Sequence, residues 1–161
     1  MQYNPHDYQK YAIDFIEKNP QAAVLLECGL GKTSITLTAL NDMMFDRFEV
    51  RKVLIIAPIR VCKNSWAAEI GKWDHLKGLT YSLVLGNREQ RLAALRKKAD
   101  LYIINRENVQ WLIESSGKEA RRHRTNIKYM RQFLEYISKR EDLDVTILSG
   151  GDGLAVIRFR K

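Results

Sequence analysis

The chain has little of what would staple or anchor it. Two cysteines, Cys28 and Cys62, cannot build a disulfide framework, and with three scattered histidines they do not fall at structural-zinc spacing. Only three prolines and nine glycines occur in 161 residues, which excludes collagen-like repetition and Pro/Gly-rich disorder. No apolar run approaches the roughly 20 residues that span a bilayer. The start, MQYNPHDYQK, lacks the cationic segment and apolar stretch of a secretory signal. The expectation is a cytoplasmic protein with no membrane partner.

What is present is an ordinary globular composition, 45% hydrophobic and 29% charged, enough for one domain with a sizeable core. Lys and Arg number 27 against 19 Asp and Glu, a formal charge of +8. The excess is uneven: residues 1–116 hold 16 basic against 13 acidic, whereas residues 117–161 hold 11 against 6. A basic surface concentrates polyanions, so nucleic acid is the natural partner. A solvated cationic face without a specific ligand has the same composition.

Periodicity alternates between helix and strand. Over Asp7 to Lys18, residues Tyr8, Tyr11, Ala12, Phe15 and Ile16 share one helical stripe, and Asn19-Pro20 separates them from a short apolar strand over Ala22 to Leu26. Further strands are expected at Val53–Ile56, Tyr81–Leu85 and Leu101–Ile104, with helical character over Arg88 to Lys98. Strands alternating with helices predict an α/β fold with a mostly parallel sheet in a three-layer sandwich.

Between the first strand and a helical run over Ser34 to Met44 stands Glu27-Cys28-Gly29-Leu30-Gly31-Lys32-Thr33. Phosphate needs inward-pointing N–H groups without Cβ interference, which Gly29 and Gly31 permit, and it gains from the positive end of the following helix. The order strand, glycines, Lys-Thr, helix is that of a P-loop. There the Lys32 ammonium would reach the β and γ phosphates and the Thr33 hydroxyl would ligate magnesium. Leu26 stands where the usual pattern has its first glycine. Gly29, Leu30, Gly31, Lys32 and Thr33 are thus the candidate ATP site, with Lys32 and Thr33 its catalytic members and Thr33 its Mg ligand.

With these residues in view, positions 1 to about 114 resemble the start of the first RecA-like domain of a superfamily 2 helicase of the Swi/Snf-like group. Pro5-His6-Asp7-Tyr8-Gln9 is similar to that group's upstream Tyr-Gln element, which implies that Gln9 reads adenine through its amide. Val53 to Pro58 and the helix after it resemble the next motif, which implies that Arg60 and Lys63 meet nucleic-acid phosphates. Trp66, Ile70 and Trp73, spaced i, i+4, i+7, are expected to pack inward. Asp100 to Trp111 is similar to the group's later strand and helix.

The resemblance also implies an Asp-Glu box and a Ser/Thr-Ala-Thr strand, and neither follows. Glu107 falls in a segment already matched to a non-catalytic position, and Asp152 lies in the turn composition Ser149-Gly150-Gly151-Asp152-Gly153. The arginines that a second RecA-like domain supplies across ATP are likewise not among these residues. Efficient hydrolysis or unwinding by this chain alone is therefore not expected, and a second protein or chain would supply the missing elements.

Residues 117–161 read as a basic amphipathic helix, with Ile127, Met130, Phe133, Leu134 and Ile137 as its stripe, followed by a hairpin around SGGDG. This tail resembles the end of class I S-adenosylmethionine-dependent O-methyltransferases, Gly151-Asp152-Gly153-Leu154 being its sharpest element. A methyltransferase-derived domain and a non-enzymatic basic DNA-binding module therefore stand as alternatives to the ATP-binding, nucleic-acid-associated reading. Lys32-Thr33 and Gln9 favour a triphosphate. The join falls near Ser115-Ser116-Gly117, and the hairpin is expected to enter the same sheet and complete one domain with residues 1–116.

Overall fold

The computed structural model describes residues 1–116, 143–148 and 154–160. The helix expected within 117–142 and Asp152 lie outside the described residues. Along the chain run α1 (Asp7–Lys18), β1 (Gln21–Val24), α2 (Lys32–Asn41), β2 (Val50–Ala57), α3 (Ile59–Lys72), β3 (Tyr81–Val84), α4 (Arg88–Arg96), β4 (Leu101–Asn105), α5 (Val109–Ser116), β5 (Leu143–Leu148) and β6 (Leu154–Arg160). The strands form one sheet in the order β1-β5-β6-β2-β4-β3. Pairs β1·β5, β2·β4 and β3·β4 are parallel, whereas β6 runs antiparallel to both β5 and β2.

Helices cover both faces, so the architecture is the expected three-layer α/β sandwich. On one face the core joins Ile16 of α1, Ile35 and Leu40 of α2, and Trp66 and Ile70 of α3 to Val24, Ile55 and Val156. On the other, Ala94 of α4 and Val109 of α5 pack on Ile56, Val84, Ile104 and Ile157. Alternation along β6 sends Val156 and Ile157 to opposite layers, as a two-residue period requires. The inward packing expected of Trp66 and Ile70 is observed, and Trp73 is half-buried.

Three local expectations are corrected. The buried face of α1 is Gln9, Ala12, Ile13 and Ile16, while Tyr8 and Tyr11 are exposed. Gln9 joins the buried face because its amide is satisfied at both ends, accepting from the His6 N–H at the start of the helix and donating to the Leu30 carbonyl of the following loop. The first strand ends at Val24, not Leu26, since Leu26 and Glu27 turn their carbonyls toward Lys32. The second helix starts at Lys32 and stops at Asn41, followed by a π turn over Asp42–Asp46 in which Arg47 N–H reaches the Asp42 carbonyl at 2.9 Å.

Arg158 of β6 is fully buried. Its guanidinium donates to the Ile16 carbonyl at 2.8 Å, to Asn19 at 3.0 Å and to Pro20 at 3.1 Å. A cation is favourable at a helix C-terminus, where carbonyls lack intrahelical partners, and the guanidinium fork meets several at once. The end of α1 is thereby fastened to the middle of the sheet.

Candidate nucleotide and nucleic-acid site

The loop over residues 25–31 leaves β1 and turns into α2. Gly29 and Gly31 adopt φ +87° and +77°, the left-handed region that glycine enters at no steric cost. Gly31 is the N-cap of α2. Behind it the helix begins with Lys32, Thr33 and Ser34, whose amides have no acceptor four residues back within α2, and no other partner occurs for them among the described residues. An unsatisfied first turn at the positive end of a ten-residue helix is the anion-binding arrangement expected of the sequence.

The Lys32 ammonium folds back across the loop, donating to the carbonyls of Leu26 at 2.7 Å and Glu27 at 2.8 Å. It is thereby held against the loop beside the first-turn amides. Thr33, half-exposed, begins the helix at the same place, and the Ser34 hydroxyl donates to the Gly31 carbonyl at 2.9 Å.

Gln9 is buried directly behind the loop. Its Oε1 accepts from the His6 N–H at 3.0 Å, and its Nε2 donates to the Leu30 carbonyl at 3.3 Å. The Tyr8 hydroxyl donates to the same carbonyl at 3.3 Å. Sequence reasoning selected Gln9 but not Tyr8 or Ser34, because neither belongs to a spacing rule; the adjacency of Tyr8 to Gln9 was the available signal. The structure thus brings Gln9, Gly29, Leu30, Gly31, Lys32 and Thr33 into one place.

Arg60 and Lys63 lie elsewhere on the same edge of the sheet. Both are exposed on the opening turns of α3, which starts at the C-terminal end of β2 after Ala57-Pro58. Neither forms an ion pair among the described residues. Three strand steps, roughly 14 Å, separate β1 from β2, so these cations flank the loop without entering it.

Glu107 follows β4, four strand steps or roughly 19 Å from β1. Its carboxylate accepts from the Asn105 amide at 2.7 Å, and despite the opposing effect of partial burial, this bond and Arg106 hold its pKa below the ordinary value. That carboxylate is engaged beside α5, away from the loop. Cys62, by contrast, is buried beneath the start of α3, and burial pushes its thiol up to about 11.

Comparison with known proteins agrees with this architecture. A protein p41 of Acyrthosiphon pisum secondary endosymbiont phage 1 is 32% identical over 116 residues, covering 71% of this chain and 25% of the phage protein. The bifunctional helicase and thymine dioxygenase JBP2 of Trypanosoma cruzi is 25% identical over 118 residues, covering 65% of this chain and 11% of its own. The chain therefore spans a quarter or less of these relatives. A solved structure, the Sulfolobus solfataricus SWI2/SNF2 ATPase core in complex with dsDNA, superposes with a TM-score of 0.58 at 21% identity, covering 74% of this chain and 25% of that one. The SNF2-related domain matches residues 8–149. That match runs from the tyrosine beside Gln9 through the end of β5, and the chain belongs to the SNF2-related domain family.

Proposed function

We propose that this chain is an ATP-binding, nucleic-acid-associated P-loop domain, corresponding to part of the first lobe of a superfamily 2 helicase and working in the cytoplasm. The observation that carries the reading is the Lys32 ammonium held over a loop with two left-handed glycines at the open N-terminus of α2. A Cβ at Gly31 would stand 2.6 Å from Gln9 Nε2, so any larger residue there displaces the Gln9 amide in addition to straining a left-handed backbone. The donor set, amide N–H groups and one ammonium, suits phosphate and offers little to a sulfonium cofactor.

In this reading the amides of Gly29 to Thr33 and the Lys32 ammonium hold the phosphates, and the Thr33 hydroxyl holds magnesium. Gln9 reads adenine: one Nε2 hydrogen and one Oε1 lone pair remain after its two internal bonds. When bound, ATP with magnesium supplies a phosphoanhydride whose charge the P-loop neutralises. Arg60 and Lys63 meet nucleic-acid phosphates, DNA foremost, as a positive flank at the strand ends.

Hydrolysis is a separate matter. The strand beside β1 is β5, and the sequence continues from it as Ser149-Gly150-Gly151-Asp152-Gly153, without an Asp-Glu pair. Glu107 is too distant to substitute. The domain therefore binds nucleotide, and a second protein or segment contributes the residues that complete turnover.

Calorimetric titration of ATP with magnesium and of S-adenosylmethionine tests the assignment. ATP should bind and S-adenosylmethionine should not, and Lys32→Ala should abolish the heat with the fold retained. Unchanged ATP affinity in the variant would defeat the site, and tighter S-adenosylmethionine binding would establish the methyltransferase alternative. Duplex DNA binding that weakens with salt and with Arg60→Ala/Lys63→Ala tests the second half.

A further inference from the structure

At the opposite end of the sheet from the P-loop, Leu54 of β2, Leu95 of α4, Tyr102 of β4 and Leu112 of α5 floor a groove of about 580 Å³, with Arg51 and Lys52 along one edge. Lys52 reaches over the Tyr102 ring, its Nζ 5.3 Å from the centroid and 3.4 Å from the hydroxyl. The Tyr102 hydroxyl donates to the Lys97 carbonyl at 2.6 Å, which sets the exposed run Arg96-Lys97-Lys98 beside the groove. Among the described residues none of these five cations has an ion-pair partner.

We infer that this groove docks an acidic amphipathic helix of another protein. The apolar floor has room for several large aliphatic side chains, and the cationic rim, with no carboxylate lining the groove among the described residues, complements a negatively charged flank. The chain's own residues 117–142 carry eight Lys and Arg against four Asp and Glu, so they share the sign of the rim. Nucleic acid would satisfy the rim but leave the leucines wet. A helix satisfies both, placing its apolar stripe on the floor and its polar face in water. The interaction is independent of the nucleotide loop.

Fluorescence anisotropy with the full chain decides it. The probe is a labelled synthetic helix with leucines at i, i+3, i+4 and i+7 and glutamates on its flanks; the control has the same composition with the leucines dispersed around the helix. The striped peptide should bind saturably and at least tenfold tighter than the control. Arg51→Glu/Lys52→Glu should weaken it at least tenfold with the fold retained, since both side chains are exposed and only the Lys52 contact with Tyr102 is lost. Leu95→Ala should weaken it several-fold. Equal binding of the control, an unchanged affinity in the charge-reversed variant, or displacement of the peptide by duplex DNA would each overturn the proposal.

Discussion

Gln9 Nε2 occupies the place where a Cβ on Gly31 would project, at 2.6 Å, so the side chain that closes α1 onto the loop and the glycine that opens α2 are mutually dependent. Gly31→Ala is expected to cost about 1–2 kcal/mol from its left-handed backbone alone, with a further loss as Gln9 is displaced. Urea unfolding measures the first. Nucleotide titration should show a larger loss than for Gly29→Ala, because Gly29 has the same kind of φ but open space around its Cβ position.

Arg158 is the second test. Replacing it by Met keeps the volume but leaves the carbonyls of Ile16, Asn19 and Pro20 without their donor. A buried unsatisfied acceptor costs roughly 1–3 kcal/mol, so with water reaching the outer two and only the Ile16 carbonyl left bare, Arg158→Met should destabilise by about 1–3 kcal/mol. Arg158→Lys should recover part of the loss, since one ammonium reaches fewer carbonyls than the fork. Chemical denaturation with an unchanged m-value would place the effect in the folded state.

Acid sensitivity should trace to His75. Burial lowers its pKa below the ordinary 6.5, opposed by Asp42 and Asp74, and its Nε2 lies 2.9 Å from the Thr38 hydroxyl while its ring stacks on Tyr3. A lowered folded pKa means the folded state binds fewer protons, so this contribution is complete above 6.5 and is lost as pH falls through the folded value. Burial raises Glu17 and Asp42, which acts with the opposite sign, but only in the lower carboxylate range. The melting temperature should therefore begin to fall as pH drops below 6.5, and His75→Gln should flatten that slope.

The two cysteines should behave differently toward a thiol reagent. Cys28 is exposed in the nucleotide loop, whereas the Cys62 thiol donates to the Ala57 carbonyl at 3.3 Å and is held protonated by burial. At pH 8 native protein should label rapidly at one site and denatured protein at two. Added ATP with magnesium should slow the reaction of Cys28, and no protection would count against nucleotide in that loop.

How much of this was written in the sequence differs from residue to residue. The end of α1 was legible because Asn19-Pro20 closes it, and the loop because its glycines and Lys32 answer separate demands of phosphate while Thr33 answers that of magnesium. The inward face of α1 was not. A period of 3.6 ranks tyrosine with the apolar residues and cannot show that Gln9 finds acceptors and donors inside. Arg158 stands in an alternating strand pattern whose partners lie 138 to 142 residues earlier, beyond any local rule. The basic groove was hidden for the same reason, since its cations come from β2 and from the end of α4.

The place of β6 has a consequence for biosynthesis. It alone bridges β5 to β2, so without it the sheet falls into a pair, β1-β5, and a trio, β2-β4-β3. A nascent chain emerging from the ribosome holds its P-loop strand and its central strand long before it holds what joins them. Closure must wait until residues 154–160 clear the exit tunnel, and until then the unpaired edges of both pieces are open to chaperones.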